Sequence, residues 1–194
     1  MKGKNIVILT SIVFIAILVA TMAFTADAVS ELKVTMGAVY EIVEIKSSTK
    51  GQITDFIFLD DDGNRRTLSE YASGKYIFQN FWGTWCPPCR DEIPDIIKLQ
   101  TENKDNLIMI GIAMERPNVE NPKQHVSNYA KQQGINYINF VGPRAVINQL
   151  VSAYGGINAV PTTHLIDKEG KIVETIVGKR AKAEFQTSLD KMMK

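Results

Sequence analysis

Two kinds of apolar run divide the chain. The first, Ile6 to Phe24, carries no charged residue over nineteen positions. That is long enough to span a hydrocarbon core and longer than most signal-peptide cores. The others are short runs between turn residues, alternating with stretches of helical period. Phe56-Ile57-Phe58-Leu59 reads as a strand. Asp60 to Asn64, with Gly63, is turn chemistry, and Arg65 to Leu68 returns as the second arm of a hairpin. Ser69 to Ala72 reads as a helical turn. Tyr76 to Phe81 and Leu107 to Met114 read as strands buried on both faces. Between them, from Pro87 to Asn103, Ile93, Ile96 and Ile97 recur at helical spacing, with Pro94 inside.

A polar stretch with Pro117 and Pro122 leads to a helix over His125–Gln133, stopped by Gly134. Tyr137 to Val141 is a strand. Pro143 is placed to open a helix through Val146, Leu150 and Val151 to Tyr154, with Gly155-Gly156 closing it. Pro161 to Asp167 and Lys171 to Val177 pair around Lys168-Glu169-Gly170, and Ala181 to Met193 forms a closing amphipathic helix. Strands alternating with helices predict an α/β domain, a mixed sheet with helices on both faces. The expected organisation is an anchor or signal segment over 1–28, a linker over 29–53 and a domain over 54–194. Val39 to Ile45 has strand character, but 29–53 lacks a clear period and reads mainly as linker.

Lys2 and Lys4 precede the long apolar run, which places the N-terminus inside and the rest outside the cytoplasm. Core length favours an uncleaved anchor over residues 6–24. Ala26-Asp27-Ala28 has the pattern of a cleavage site, so a secreted or periplasmic form cut after Ala28 is the alternative. The net charge is +1, and without Lys2, Lys4 and Asp27 the remaining 20 basic and 20 acidic residues cancel. That balance gives no footprint for nucleic acid. The Asp60-Asp61-Asp62 cluster lacks the spacing and closing Glu of a calcium loop, so it reads as a solvated turn.

The chain has two cysteines, Cys86 and Cys89, in Trp85-Cys86-Pro87-Pro88-Cys89 between a strand and a helix start. A cysteine at a helix N-terminus is pushed toward thiolate. Beside a second thiol that can resolve a mixed disulfide, it makes an exchange site. Zinc needs four ligands, and His125 and His164 stand in no finger spacing. Haem attachment needs His after the second cysteine, where Arg90 stands. A purely structural staple gains most from a long loop, and this pair closes almost none.

Trp85 to Cys89, with Pro94 five residues on and Val160-Pro161-Thr162-Thr163 far downstream, resembles the thioredoxin superfamily. Within it the chain is most similar to the membrane-anchored TlpA/ResA-like thiol–disulfide oxidoreductases, over about Thr54 to Lys194. The resemblance implies a thioredoxin-like fold with an N-terminal β-hairpin and a central insertion near 115–142. It implies that Cys86 is the exposed nucleophile and Cys89 the deeper resolving thiol. It also implies a cis Val160–Pro161 bond across from the cysteines, presenting the Val160 backbone to an incoming chain. Trp85 would shield the pair and Pro87 would lie in the substrate-facing turn; for Trp85, core filling is the plainer role. Thioredoxin carries a buried Asp six residues before its first cysteine, where this chain has Asn80. Glu92, three residues after Cys89, lies on the same helical face, and at this position ResA-like proteins use a Glu at the active site. A solvated Glu in the Arg90-Asp91-Glu92 run is the competing reading. His125 reads as a surface residue, and His164, in a strand, is left without an assigned role.

The function so implied is exchange of disulfides with extracytoplasmic proteins. The working direction is reduction, as in cytochrome c maturation, with apocytochrome c cysteines as substrate and a transmembrane thiol carrier as donor. The redox-active Cys86–Cys89 pair replaces any cofactor. A disulfide-forming oxidant uses the same motif. A peroxiredoxin-like peroxidase needs Ser or Thr where Gly83 stands, and a non-catalytic chain-binding module has no need of both cysteines.

Overall fold

The computed structural model describes residues 37–194. The expected span over 6–24, the Ala26-Asp27-Ala28 pattern and the first part of the expected linker lie outside the described residues. Among those described, no helix is long and apolar enough to cross a membrane.

Eight strands form one mixed sheet in the order β3-β2-β1-β6-β5-β4-β7-β8. They are β1 (Val39–Ser47), β2 (Asp55–Leu59), β3 (Arg65–Thr67), β4 (Tyr76–Trp82), β5 (Leu107–Ala113), β6 (Ile138–Val141), β7 (Thr162–Ile166) and β8 (Ile172–Val177). The helices are α1 (Leu68–Tyr71), α2 (Pro87–Asn103), α3 (Pro122–Gln133), α4 (Arg144–Ala153) and α5 (Lys182–Met192). β1, β6, β5 and β4 run parallel to one another; β2, β3, β7 and β8 join antiparallel at the flanks. The expected N-terminal hairpin is β2–β3, with the Asp60 carboxylate accepting from the Asp62 and Asn64 amides to hold its turn.

The linker expectation is corrected over Val39–Ser47. This segment is β1, paired with β2 on one side and with β6 on the other. Ile42 faces the core, while Glu44 and Lys46 stay exposed. The polar alternation obscured a strand whose parallel partner lies about a hundred residues away in sequence.

Alternation along the strands divides two apolar layers. On one face Phe78, Trp82, Met109 and Leu165 pack against Cys89, Ile93, Ile96 and Leu99 of α2, Val126 and Ala130 of α3, and Phe185 and Leu189 of α5. On the other, Ile77, Phe81, Ile110, Ile112, Phe140 and Ile166 pack against Leu68 of α1 and Ile147 and Leu150 of α4. Residues 115–142, the expected insertion, supply α3 and β6, and β6 lies between β1 and β5. One bond ties three of the parallel strands. Trp82 Nε1 on β4 donates to Asn139 Oδ1 on β6 at 3.0 Å, passing over Gly111 of β5. A Cβ at Gly111 would collide with that pair, so glycine is required there.

Candidate active site

β4 delivers the chain to the cysteine motif, and the turn Gly83-Thr84-Trp85 hands it to α2. Cys86 is the N-cap of α2, with its Sγ accepting from the Cys89 backbone N–H at 3.2 Å. Pro87 and Pro88 fill the first helical positions, where a missing N–H costs no helical bond. Cys86 and Cys89 are joined as a disulfide. When the bond is reduced, a Cys86 thiolate at this place meets the helix's positive end and the Cys89 N–H, both of which favour its charge.

The Val160–Pro161 peptide is cis, as the resemblance implies, and the Val160 carbonyl oxygen lies 3.6 Å from Cys86 Sγ. Cys86 is 2 % exposed and Cys89 fully buried. The expected open exposure of Cys86 does not hold: both cysteines are buried in the same apolar layer. The Val160 side chain packs on the apolar layer that contains both cysteines, so little of the Cys86 sulfur reaches solvent. Trp85 is not core filling: it is 39 % exposed, its indole N–H donates to the Met114 carbonyl at 2.8 Å, and the Arg116 guanidinium lies 4.9 Å over its ring.

Glu92 lies one turn beyond Cys89 on α2 and is 1 % exposed, which removes the solvated reading. Asn80 on β4 donates from Nδ2 to Glu92 Oε1 at 3.0 Å and to Thr163 Oγ1 on β7 at 3.0 Å. Burial pushes the Glu92 carboxyl up to about 7. The Asn80 bond, the Arg180 backbone N–H and the charges of Lys179 and Arg180 pull it back only in part. A carboxyl that titrates near neutrality beside the resolving thiol can hold or release a proton there.

A second polar group, which sequence reasoning missed, braces the motif from its other side. The Glu115 side chain, 4 % exposed, accepts from the Thr84 N–H at 2.9 Å and from the Thr84 hydroxyl at 2.8 Å. His125 Nε2 lies 3.0 Å from the same hydroxyl. His125 is a surface residue as expected, its ring half exposed; the structure adds that it reaches the turn before the cysteines. The available signal was positional. Glu115 follows the C-terminal end of a central parallel strand, where α/β folds place functional groups.

His164 points to the face opposite the cysteines. It sits between the rings of Phe81 and Tyr154, at 5.3 and 5.0 Å, and burial pushes its imidazole down to about 4. It takes no part in the exchange site.

Similarity to known proteins agrees with this geometry. A family profile described as Redoxin matches residues 48–190. The thiol-disulfide oxidoreductase ResA of Geobacillus thermodenitrificans is 34% identical over 136 residues, covering 70% of this chain and 73% of that protein. The thioredoxin-like protein YneN of Bacillus subtilis is 30% identical over 151 residues, 78% of this chain and 84% of that one. Among solved structures, a thiol:disulfide interchange protein of the thioredoxin family from Chlorobium tepidum superposes with a TM-score of 0.61 at 32% identity. That match covers 77% of this chain and all of that one.

Proposed function

The chain belongs to the Redoxin family and is a ResA-like thiol–disulfide oxidoreductase, and from that premise we propose that it works as a reductant of protein disulfides outside the cytoplasm. The observation that carries the chemistry is the Cys86 sulfur at the α2 N-terminus, 3.2 Å from the Cys89 N–H and 3.6 Å from the Val160 carbonyl.

The steps follow from the placement. The Cys86 thiolate attacks one sulfur of the substrate disulfide, and the other sulfur leaves as a thiolate that takes a proton from solvent. Ionised Glu92 then takes the proton of Cys89. The Cys89 sulfur attacks Cys86, which closes the Cys86–Cys89 disulfide and releases the second substrate thiol. Two electrons have passed to the substrate. Recharging reverses the order: a donor thiolate opens the bond at Cys86, and the leaving Cys89 thiolate collects the proton from Glu92. Val160 and Pro161 hold the substrate backbone beside Cys86 as an added strand, with Pro87 and Trp85 at the margins.

Burial supports the direction. A strong oxidant of this chemistry owes its potential to a stabilised reduced form. Here Cys89 is fully buried, with the buried Glu92 one turn on along the same helix, which disfavours thiolate charge at the deeper sulfur. In this reading, as the family resemblance implies, the working partners are an extracytoplasmic protein with a cysteine pair, such as apocytochrome c, and a transmembrane thiol carrier as electron donor. Residues 6–24 would hold the domain at the membrane.

Equilibration against a dithiothreitol or glutathione ladder tests the direction. A potential near or below about −270 mV, the range of a reducing thioredoxin, is expected. A value near about −120 mV, that of a strong oxidant, would overturn it.

A further inference from the structure

β5 and β6 are parallel neighbours whose chains leave toward opposite faces of the sheet. β5 leads through 114–121 into α3 on the redox face, and β6 leads through Gly142 and Pro143 into α4 on the other. Such a pair leaves a crevice outside the carboxyl ends of its strands. The crevice here holds about 670 Å³, within the range of sites that seat ligands. Trp85, Met114, Pro117 and Val119 line one wall, Pro143 and Ile147 the other. The charges that line it are of both signs, Arg116, Lys123 and Arg144 against Glu41, Glu115 and Glu120, so they select no anion.

The crevice is continuous with the exchange site, because its first wall is Trp85, the residue before Cys86. That wall is fixed in advance. The indole is hydrogen-bonded to Met114, its face is covered by Arg116, and the turn that carries it is doubly bonded to Glu115. A preformed apolar wall loses little freedom when something packs on it. A substrate cysteine joined to Cys86 has chain extending to both sides. One side meets Val160 and Pro161; the other meets Trp85 and the crevice.

We propose that this crevice seats apolar side chains of the substrate polypeptide next to its reacting cysteine, so that Trp85 and the β5–β6 crevice select protein disulfides with hydrophobic flanks. The inference rests on the exchange activity above and adds the class of sequence that the site prefers.

The test uses the Cys89→Ala protein, whose Cys86 forms a mixed disulfide that cannot resolve. Its reaction rate is measured with two peptides of equal length, each carrying one cysteine activated as a mixed disulfide, flanked by Leu and Phe or by Ser. A small aromatic disulfide is the third probe. Two variants, Val119→Glu in the wall that holds Trp85 and Asn148→Trp elsewhere in the lining, charge and fill the crevice, and thermal midpoints are measured to establish that both fold. The apolar peptide should react about tenfold faster than the polar one, and the preference should fall to within about twofold in either folded variant. Rates with the small disulfide should be equal in all three proteins. A preference that survives both variants would place the apolar contacts elsewhere. Equal losses with all three probes would mean that the variants act on Cys86 itself, which also defeats the proposal. Failure of the parent protein to react with any disulfide would strike at the exchange reading instead.

Discussion

The side-chain amide of Asn80 donates to the carboxyl of Glu92 at 3.0 Å, joining the strand that delivers the cysteines to the helix that carries them. Asn80 stands where the related thioredoxin has an acid, and it brings no charge to the buried face. It is therefore a fixed donor, and Glu92 is the group that titrates, near 7.

Glu92→Gln keeps the shape and removes the proton. The exchange rate should fall roughly tenfold to a hundredfold, and the inflection near pH 7 should vanish from the rate profile. Stopped-flow reduction of a peptide disulfide from pH 5 to 9 measures both. An unchanged profile would remove Glu92 from the proton path.

Cys89→Ala should accumulate mixed disulfides with substrate proteins, and Cys86→Ala should form none. Non-reducing electrophoresis after mixing with a disulfide-bearing protein distinguishes them. Faster alkylation of Cys89 than of Cys86 in the reduced protein would reverse the assignment.

Two buried groups set opposite pH slopes on stability. His164 is held neutral, with a folded pKa near 4 against an ordinary 6.5, so its contribution is complete above pH 6.5 and is lost as pH falls toward 4. The folded pKa of Glu92 is raised from 4.5 to near 7, so its contribution is complete below pH 4.5 and is lost as pH rises toward 7. Each spans roughly 3 kcal/mol, and between pH 4.5 and 6.5 they nearly cancel. Urea unfolding should therefore show little slope in that window for the parent protein. Stability should rise with pH in Glu92→Gln and fall with pH in His164→Phe. Parallel curves for all three proteins would contradict the two assignments.

Glu115 acts on the motif through Thr84. Glu115→Ala leaves the part-buried Thr84 amide without its acceptor, at a cost of about 1–3 kcal/mol, while the Thr84 hydroxyl keeps His125 as a partner. It should slow exchange by about tenfold as the turn before Cys86 loosens. Glu115→Gln keeps an oxygen acceptor and should recover most of the rate at unchanged KM. Equal rates for the Ala and Gln proteins would leave Glu115 with a role in stability alone.

Much of this was legible because it was local. The apolar runs placed β2, β4, β5 and β6, prolines marked the starts of α2 and α4, and glycines marked the end of α4. What escaped was decided at long range. α3 begins at Pro122 rather than His125 because Asn121 caps it, accepting from the Gln124 N–H at 3.0 Å, and the polar first turn carries no hydrophobic period. β1 looked like a linker because one face is solvated and its pairing with β6 is distant. Glu115 and His125 lie 31 and 41 residues from Thr84, and no spacing rule brings them together. Glu92 was found because a helix fixes which face it shares with Cys89; its burial needed the sheet above it.

β6 also has a consequence for how the chain assembles. Its four residues stand between the sheet formed by β3, β2 and β1 and the sheet formed by β5, β4, β7 and β8. The segment that looked like an addition to a smaller fold is the seam that joins its halves. During synthesis the N-terminal hairpin and β1 emerge first and must wait about a hundred residues for the partner strand that pairs with Val39 to Glu41. Loop closure of that length makes a late, slow step. Until it is complete, β1 presents an open edge to other chains. Excision of residues 115–142 would therefore remove the strand that pairs with both β1 and β5, freeing one edge on each.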